Sequence, residues 1–135
     1  MALEQTFVII KPEAVERRLI GEILARFERK GLSIKELSVT RIEKEVAEEH
    51  YAHHMDKPFF PHLIEAITGG PVVLVILEGE DAITQVRNLV GATDPVKAAP
   101  GTIRGDFALR LPYNMVHAAD SPAAAEAEIK RFFGN

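Results

Sequence analysis

The sequence contains no cysteine, which removes disulfides, thiol nucleophiles and thiolate metal sites from consideration. No apolar run approaches the roughly 18 to 20 residues that a membrane-spanning helix requires, and the first such run, Phe7 to Ile10, stops at Lys11. The opening Met-Ala-Leu-Glu-Gln-Thr lacks the basic start and apolar stretch of a secretory leader, so a cytoplasmic protein is the expectation. An excess of basic residues is missing as well. The net charge of −4 argues against a general nucleic-acid binder, whose basic surface displaces counterions from phosphates. A small anionic ligand needs only a local cluster of cations and stays open. Repeats and low-complexity tracts are absent, and neither glycine pattern that cradles phosphates, G-x-x-x-x-G-K-[ST] or G-x-G-x-x-G, occurs. A nucleotide phosphotransferase built on this chain would need a different mechanism.

What is present suits one domain spanning 1–135, because 135 residues at 47% apolar content can bury one respectable core and hardly two. Thr6 to Ile10 reads as a strand closed by Lys11-Pro12, which hands over to a loop carrying the lysine. Ile20, Ile23, Leu24 and Phe27 recur at helical spacing and end at Lys30-Gly31. Leu32 and Ile34 alternate with polar neighbours, as do Leu37 and Val39, but the phase slips between the pairs, which predicts a strand with a bulge. Two short helices follow, broken near Lys57-Pro58, the first with Val46, Ala47, His50 and Tyr51 on one side. Val72 to Leu77 reads as a central strand buried on both sides, and Ala82 to Val90 as a helix stopping at Gly91. Gly91 to Pro112 is an aperiodic loop of a length that compact domains rarely keep without a reason. Met115 to His117 suits a short strand, and Ser121-Pro122 starts a last helix. This order predicts an α+β sandwich, with helices covering one face of a mostly antiparallel sheet.

His117 is the candidate for chemistry, since a neutral imidazole nitrogen is nucleophilic near pH 7 and can carry a phosphoryl group covalently. A lone histidine at a strand end is more often structural; its companions change the balance. The long loop offers hydroxyls, glycines and Arg104, whose guanidinium can fork onto phosphate oxygens, while Lys11 and Arg87 add the charge that a triphosphate demands. Glu128 borders the apolar stripe of the last helix and could accept a proton from the His117 nitrogen that does not attack phosphorus. Phe59 falls off the core spacing that Phe60 keeps, and an exposed aromatic beside a cleft can stack on a base. His50 and His54, four apart, could meet a metal on one helix face, but with no third ligand in view a solvated helix end is the simpler reading.

From Thr6 to Phe133 the chain resembles the nucleoside diphosphate kinase family. The resemblance is carried, in order, by Thr6-Phe-Val-Ile-Ile-Lys-Pro12, Gly21-Glu-Ile-Leu-Ala-Arg-Phe-Glu-Arg-Lys-Gly31, His50-Tyr51, Lys57-Pro-Phe-Phe60, Thr68-Gly-Gly-Pro-Val-Val73, Pro100-Gly-Thr-Ile-Arg-Gly-Asp-Phe107 and Asn114-Met-Val-His-Ala-Ala-Asp-Ser121. It implies a ferredoxin-like fold with a four-stranded antiparallel sheet, and a ping-pong exchange in which a nucleoside triphosphate phosphorylates His117 and a diphosphate removes the phosphate. It further implies that Lys11, Tyr51, Arg87, Thr93, Arg104 and Asn114 hold phosphates and sugar, Phe59 stacks on the base and Glu128 orients His117. Mg2+ would arrive through the substrate phosphates, both ribo and deoxyribo nucleotides would serve, and the family forms homo-oligomers, tetramers or hexamers, between which the sequence does not choose. Two departures stand out. Ala118 and Ala119 replace the family's usual glycine and serine, and Glu13-Ala14 replaces Asp-Gly. The serine hydroxyl would support the carboxylate behind the histidine, a bond worth about 0.5–1.5 kcal/mol or up to roughly tenfold in rate. Ala119→Ser is therefore expected to speed single-turnover phosphorylation of His117, and an unchanged rate would mean that Glu128 is held another way. The departures also raise the alternative of a catalytically weak, nucleotide-binding regulatory module on the same fold.

Overall fold

A computed structural model describes residues 3–134. Four strands, β1 (Leu3–Ile10), β2 (Ser33–Thr40), β3 (Val72–Glu80) and β4 (Val116–Ala118), form one sheet in the order β2-β3-β1-β4, with every neighbouring pair antiparallel. The helices are α1 (Pro12–Glu16), α2 (Ile20–Lys30), α3 (Lys44–His50), α4 (Phe60–Thr68), α5 (Ala82–Val90), α6 (Ile103–Phe107) and α7 (Pro122–Phe133), with 3-10 turns at Ala52–His54 and Pro95–Lys97. The phase slip in β2 is a register irregularity between Ile34 and Glu36.

Helices cover both faces of the sheet, not one. Val8 and Ile10 of β1 join Val73, Val75 and Leu77 of β3 in a core with α2 and α5, while Phe7 and Ile9 join Val72 and Leu74 in a second core with α3, α4 and α7. Alternation along a strand sends successive side chains to opposite faces. Phe7 to Ile10 are all fully buried, so β1, like β3, is apolar on both sides and needs a layer on each. Full burial of one such side chain stabilises by about 1.5–3 kcal/mol.

Two segments read as loop contain helices. The stretch after β1 turns directly into α1, with Pro12 in its first turn and the carbonyl of Lys11 accepting from Ala14 and Val15. The long loop after Gly91 contains α6, where the Thr102 hydroxyl accepts from the Gly105 amide at 3.0 Å. A Cβ on Gly105 would lie 1.9 Å from the carbonyl oxygen of Ala99, so this turn tolerates only glycine. At five residues each, both helices are too short to display a period.

The expected last strand starts one residue later than the sequence suggests. Met115 has φ 73°, and the Val116 amide donates across it to the Asn114 carbonyl at 2.8 Å, a three-residue turn that no strand can contain. Its position fixes the register: Ile9 faces His117, while Val8 and Ile10 face Ala118 and Val116. His117 therefore points to the same face as Phe7 and Ile9, toward α3, α4 and α7. A one-residue slip would bury it in the opposite core.

Candidate active site

On that face α7 packs over β1. Its start is set by Ser121, whose hydroxyl accepts from the Ala124 amide at 3.1 Å, and by Pro122 in the first turn. Two turns further on, Glu128 meets His117, with Oε1 2.7 Å from Nε2. When Glu128 is ionised its carboxylate can only accept, so the proton sits on Nε2 and Nδ1 bears the lone pair; Nδ1 has no hydrogen-bond partner among the described residues. Burial, with Lys11 and Arg104 adding to it, pushes the His117 imidazolium down to about pKa 3, so the ring is neutral at pH 7. Burial pushes Glu128 up to about 7.

Around this pair, Lys11, Tyr51, Phe59, Arg87, Thr93, Arg104, Asn114, His117 and Glu128 all line one cleft of about 880 Å³. Lys11 is buried, and its Nζ donates to the Pro112 carbonyl at 2.6 Å and to Asn114 Oδ1 at 2.9 Å, with Glu13 at 3.7 Å. Burial lowers it to about 8 while Glu13 opposes the shift, so it stays largely cationic at neutral pH. Arg104 is engaged through all three of its nitrogens. Its Nε, Nη1 and Nη2 donate to the carbonyls of Asn114, Gly91 and Val116 at 3.2, 3.1 and 2.7 Å. Burial, then the nearby charge of Arg87, brings it down to about 10. Arg87 donates to the Ala118 carbonyl at 3.2 Å, and Asn114 donates to the Thr93 carbonyl at 3.0 Å, tying the long loop to the turn before β4. Phe59 is 44% exposed at the rim, free to meet a flat ligand, whereas Tyr51 is buried and its phenol pushed up by burial.

Sequence reasoning underrated His50. It is 6% exposed, not a solvated helix end, and its ring stands 4.5 Å from that of His117 at 86°. The signal was its place beside Val46, Ala47 and Tyr51 on the apolar side of α3. The helix face on which His50 and His54 could have met a metal, a reading set aside above, is not there, because α3 ends at His50 and His54 lies in a separate 3-10 turn. His50, His117 and Glu128 do bring one ligand atom each within 4.8 Å. Arg131 Nη1 already holds His50 Nδ1 at 3.1 Å, however, and Lys11, Arg87 and Arg104 make the surroundings suited to anions. Glu13 was also missed: its Oε2 accepts from the Met115 amide at 3.1 Å and so braces the left-handed residue before β4.

The buried histidines make stability sensitive to acid. Burial, then the neighbouring His117, lowers His50 to about 3, so the unfolded chain takes up its proton from about pH 6.5 downward while the folded chain refuses it. That stability is present above pH 6.5 and is lost as pH falls toward 3. Glu128 works the other way between 7 and 4.5, since its raised folded value favours the protonated form. His50→Phe should cancel one proton's worth, so the stability gap between variant and wild type should change by about 1.4 kcal/mol per pH unit between pH 6.5 and 3. Urea unfolding at a series of pH values checks this, and parallel curves would show that His50 titrates normally.

An α+β sandwich whose cleft gathers Lys11, Arg87, Arg104 and Arg131 around a neutral histidine backed by a carboxylate belongs to the class of phosphate-handling enzymes. The sequence pattern described as Nucleoside diphosphate kinase matches residues 4–135. A nucleoside diphosphate kinase of Rubrobacter xylanophilus is 60% identical over 98% of this chain and 99% of its own, and one of Archaeoglobus fulgidus is 55% identical over 98% and 88%. Among solved structures, the halophilic nucleoside diphosphate kinase of Halobacterium salinarum, in complex with CDP, superposes with a TM-score of 0.97 at 50% identity, covering 99% of this chain and 90% of that one. That of Encephalitozoon cuniculi gives 0.96 at 41% identity, covering 98% and 90%. The chain belongs to the nucleoside diphosphate kinase family, and its reaction is transfer of the terminal phosphate from a nucleoside triphosphate to a nucleoside diphosphate. Among the described residues no helix is long and apolar enough to cross a membrane.

Proposed function

We propose that the transfer runs in two halves through a phosphohistidine on Nδ1 of His117. The observation that carries this reading is the 2.7 Å contact between His117 Nε2 and Glu128, which leaves the other ring nitrogen available to attack. In the first half, the Nδ1 lone pair bonds to the terminal phosphorus as the bond from phosphorus to the bridging oxygen breaks, and the nucleoside diphosphate leaves with that oxygen. The ring becomes cationic in character, and Glu128 stabilises it through the Nε2 proton without leaving the ring uncompensated. In the second half, a phosphate oxygen of a different diphosphate attacks the phosphorus and His117 is restored neutral.

Lys11, Arg87 and Arg104 supply positive charge to the phosphates, with Thr93, Asn114 and Tyr51 as polar partners for phosphate and sugar. Phe59 stacks on the base, and stacking is indifferent to base identity, which fits exchange between any two nucleotides, ribo or deoxyribo. Mg2+ suits this cleft as an ion carried by the nucleotide: the oxygen-bearing side chains are too few for an all-protein cage, and with Glu128 engaged at His117, Asp120 is the other carboxylate of the cleft that could approach it. Bound in that way it neutralises phosphate charge. A homo-oligomer, tetramer or hexamer, and a cytoplasmic location, where free nucleotides are abundant, complete the proposal.

The test is to mix the protein with magnesium and terminally labelled ATP, without an acceptor. Acid-labile, base-stable label should appear on the protein and leave as labelled GTP when GDP is added. Bound ATP with no label would overturn the phosphohistidine and point to a nucleotide-sensing module.

A further inference from the structure

We propose that Arg131 and His50 are positioning residues that lock the ring of His117 in its reactive orientation beside an uncharged neighbour. Arg131 lies three residues after Glu128 on α7, and residues three apart share a helix face. One helix face thus sends a carboxylate to His117 and a guanidinium to His50. Arg131 Nη1 is 3.1 Å from His50 Nδ1, and its Nε donates to Glu49 Oε2 at 3.2 Å, so the guanidinium is anchored to the residue next to His50 in α3. A guanidinium has only N–H groups to offer, so His50 Nδ1 must be the acceptor. The proton of the neutral ring therefore sits on Nε2, which is buried without a hydrogen-bond partner.

This fixed ring is a wedge. It stands edge-on to His117 at 4.5 Å and to Phe132 at 5.3 Å, while Phe132 stacks on Phe7 at 5.1 Å. With His50 in place, His117 has little room to exchange the nitrogen facing Glu128 for the one facing the phosphate. Neutrality matters as much as shape. A second imidazolium beside His117 would repel the positive charge that grows there as Nδ1 bonds to phosphorus, and a guanidinium at Nδ1 opposes protonation of His50. The charged or titratable groups facing His50 are His117, Glu128, Arg131, His53 and the Tyr51 phenol ring at 4.7 Å, with Glu49 behind Arg131.

The rate effect rests on His117 being the nucleophile, whereas the tautomer lock does not, so the two are tested separately. Nitrogen NMR of protein labelled in its histidines, without nucleotide, should show His50 with a bare Nδ1 and a protonated Nε2. A protonated Nδ1 overturns the lock whatever happens at His117. Arg131→Met should slow single-turnover labelling of His117 by about tenfold while leaving ATP affinity within about twofold, and move the acid limb of the rate profile to higher pH. Arg131→Lys, which restores charge and donor, should recover most of the rate. His50→Phe should itself slow labelling by about threefold, and in that background Arg131→Met should add less than about twofold. Equal losses in both backgrounds would show that Arg131 acts through the fold or the nucleotide and not through His50.

Discussion

His117→Ala is expected to abolish acid-labile labelling by ATP and to lower turnover by about 10^4 or more, because removal of a covalent nucleophile removes the intermediate itself and leaves only what positioning can achieve. The fold should survive. His117 sits in a three-residue edge strand whose neighbours Val116 and Ala118 make the core contacts on the opposite face, and its own ring is partly exposed to the cleft. Nucleotide affinity should change little, since Lys11, Arg87 and Arg104 are held by carbonyls of the chain and by Asn114, not by the imidazole. The variant should therefore separate binding from chemistry: ATP still binds, measured by calorimetry, and no label forms. Wild-type labelling in His117→Ala would place the phosphate elsewhere, and the neutral, carboxylate-backed ring would then need another explanation. Glu128 should show the complementary pattern, with weaker chemistry but a surviving label, because it stabilises charge on the ring without bonding to phosphorus.

Much of this site could be anticipated from the sequence, and the reasons for the gaps are physical. Residue type and motif order were enough to single out His117, Glu128, Lys11 and the cations, and the periods of Ile20 to Phe27 and Ala82 to Val90 were enough for α2 and α5. Besides the two helices too short to show a period, what escaped were roles decided by a partner distant in sequence. His50 looks like one more charged-helix residue until α7 brings Arg131 to its ring, across a separation of 81 residues. Glu13 looks like a conservative departure until it is seen holding the amide of Met115, 102 residues away. The second helical layer escaped for a related reason: the fully buried stretch Phe7 to Ile10 of β1 reads as an ordinary apolar run, and only the neighbours on each side reveal that both of its faces need cover. Alternation gives the two faces but not what lies against them.

Arg104 illustrates the same limit and carries the second large effect. As a loop arginine it reads as a fork for phosphate, yet three of its five N–H groups already belong to the chain, on the carbonyls of Asn114, Gly91 and Val116. β4 is an edge strand, paired only with β1, so its outward carbonyls lack a neighbouring strand. Arg104 takes that of Val116 and Arg87 that of Ala118, on either side of His117. The cations proposed to attract phosphate thereby hold in place the strand carrying His117, and the two remaining N–H groups of Arg104 are what it can offer to a ligand. Arg104→Ala should accordingly fail twice. Stranding buried carbonyls costs about 1–3 kcal/mol each, so a loss of about 3 kcal/mol or more is expected in urea unfolding. Labelling of His117 should fall by at least about a hundredfold through lost charge and lost alignment. Arg104→Lys separates the two contributions. Lysine keeps the charge but cannot span three carbonyls from one ammonium, so part of the stability should return while labelling stays slow. If Arg104→Lys labels His117 at the wild-type rate, charge alone matters here and the tie between phosphate binding and strand position is wrong.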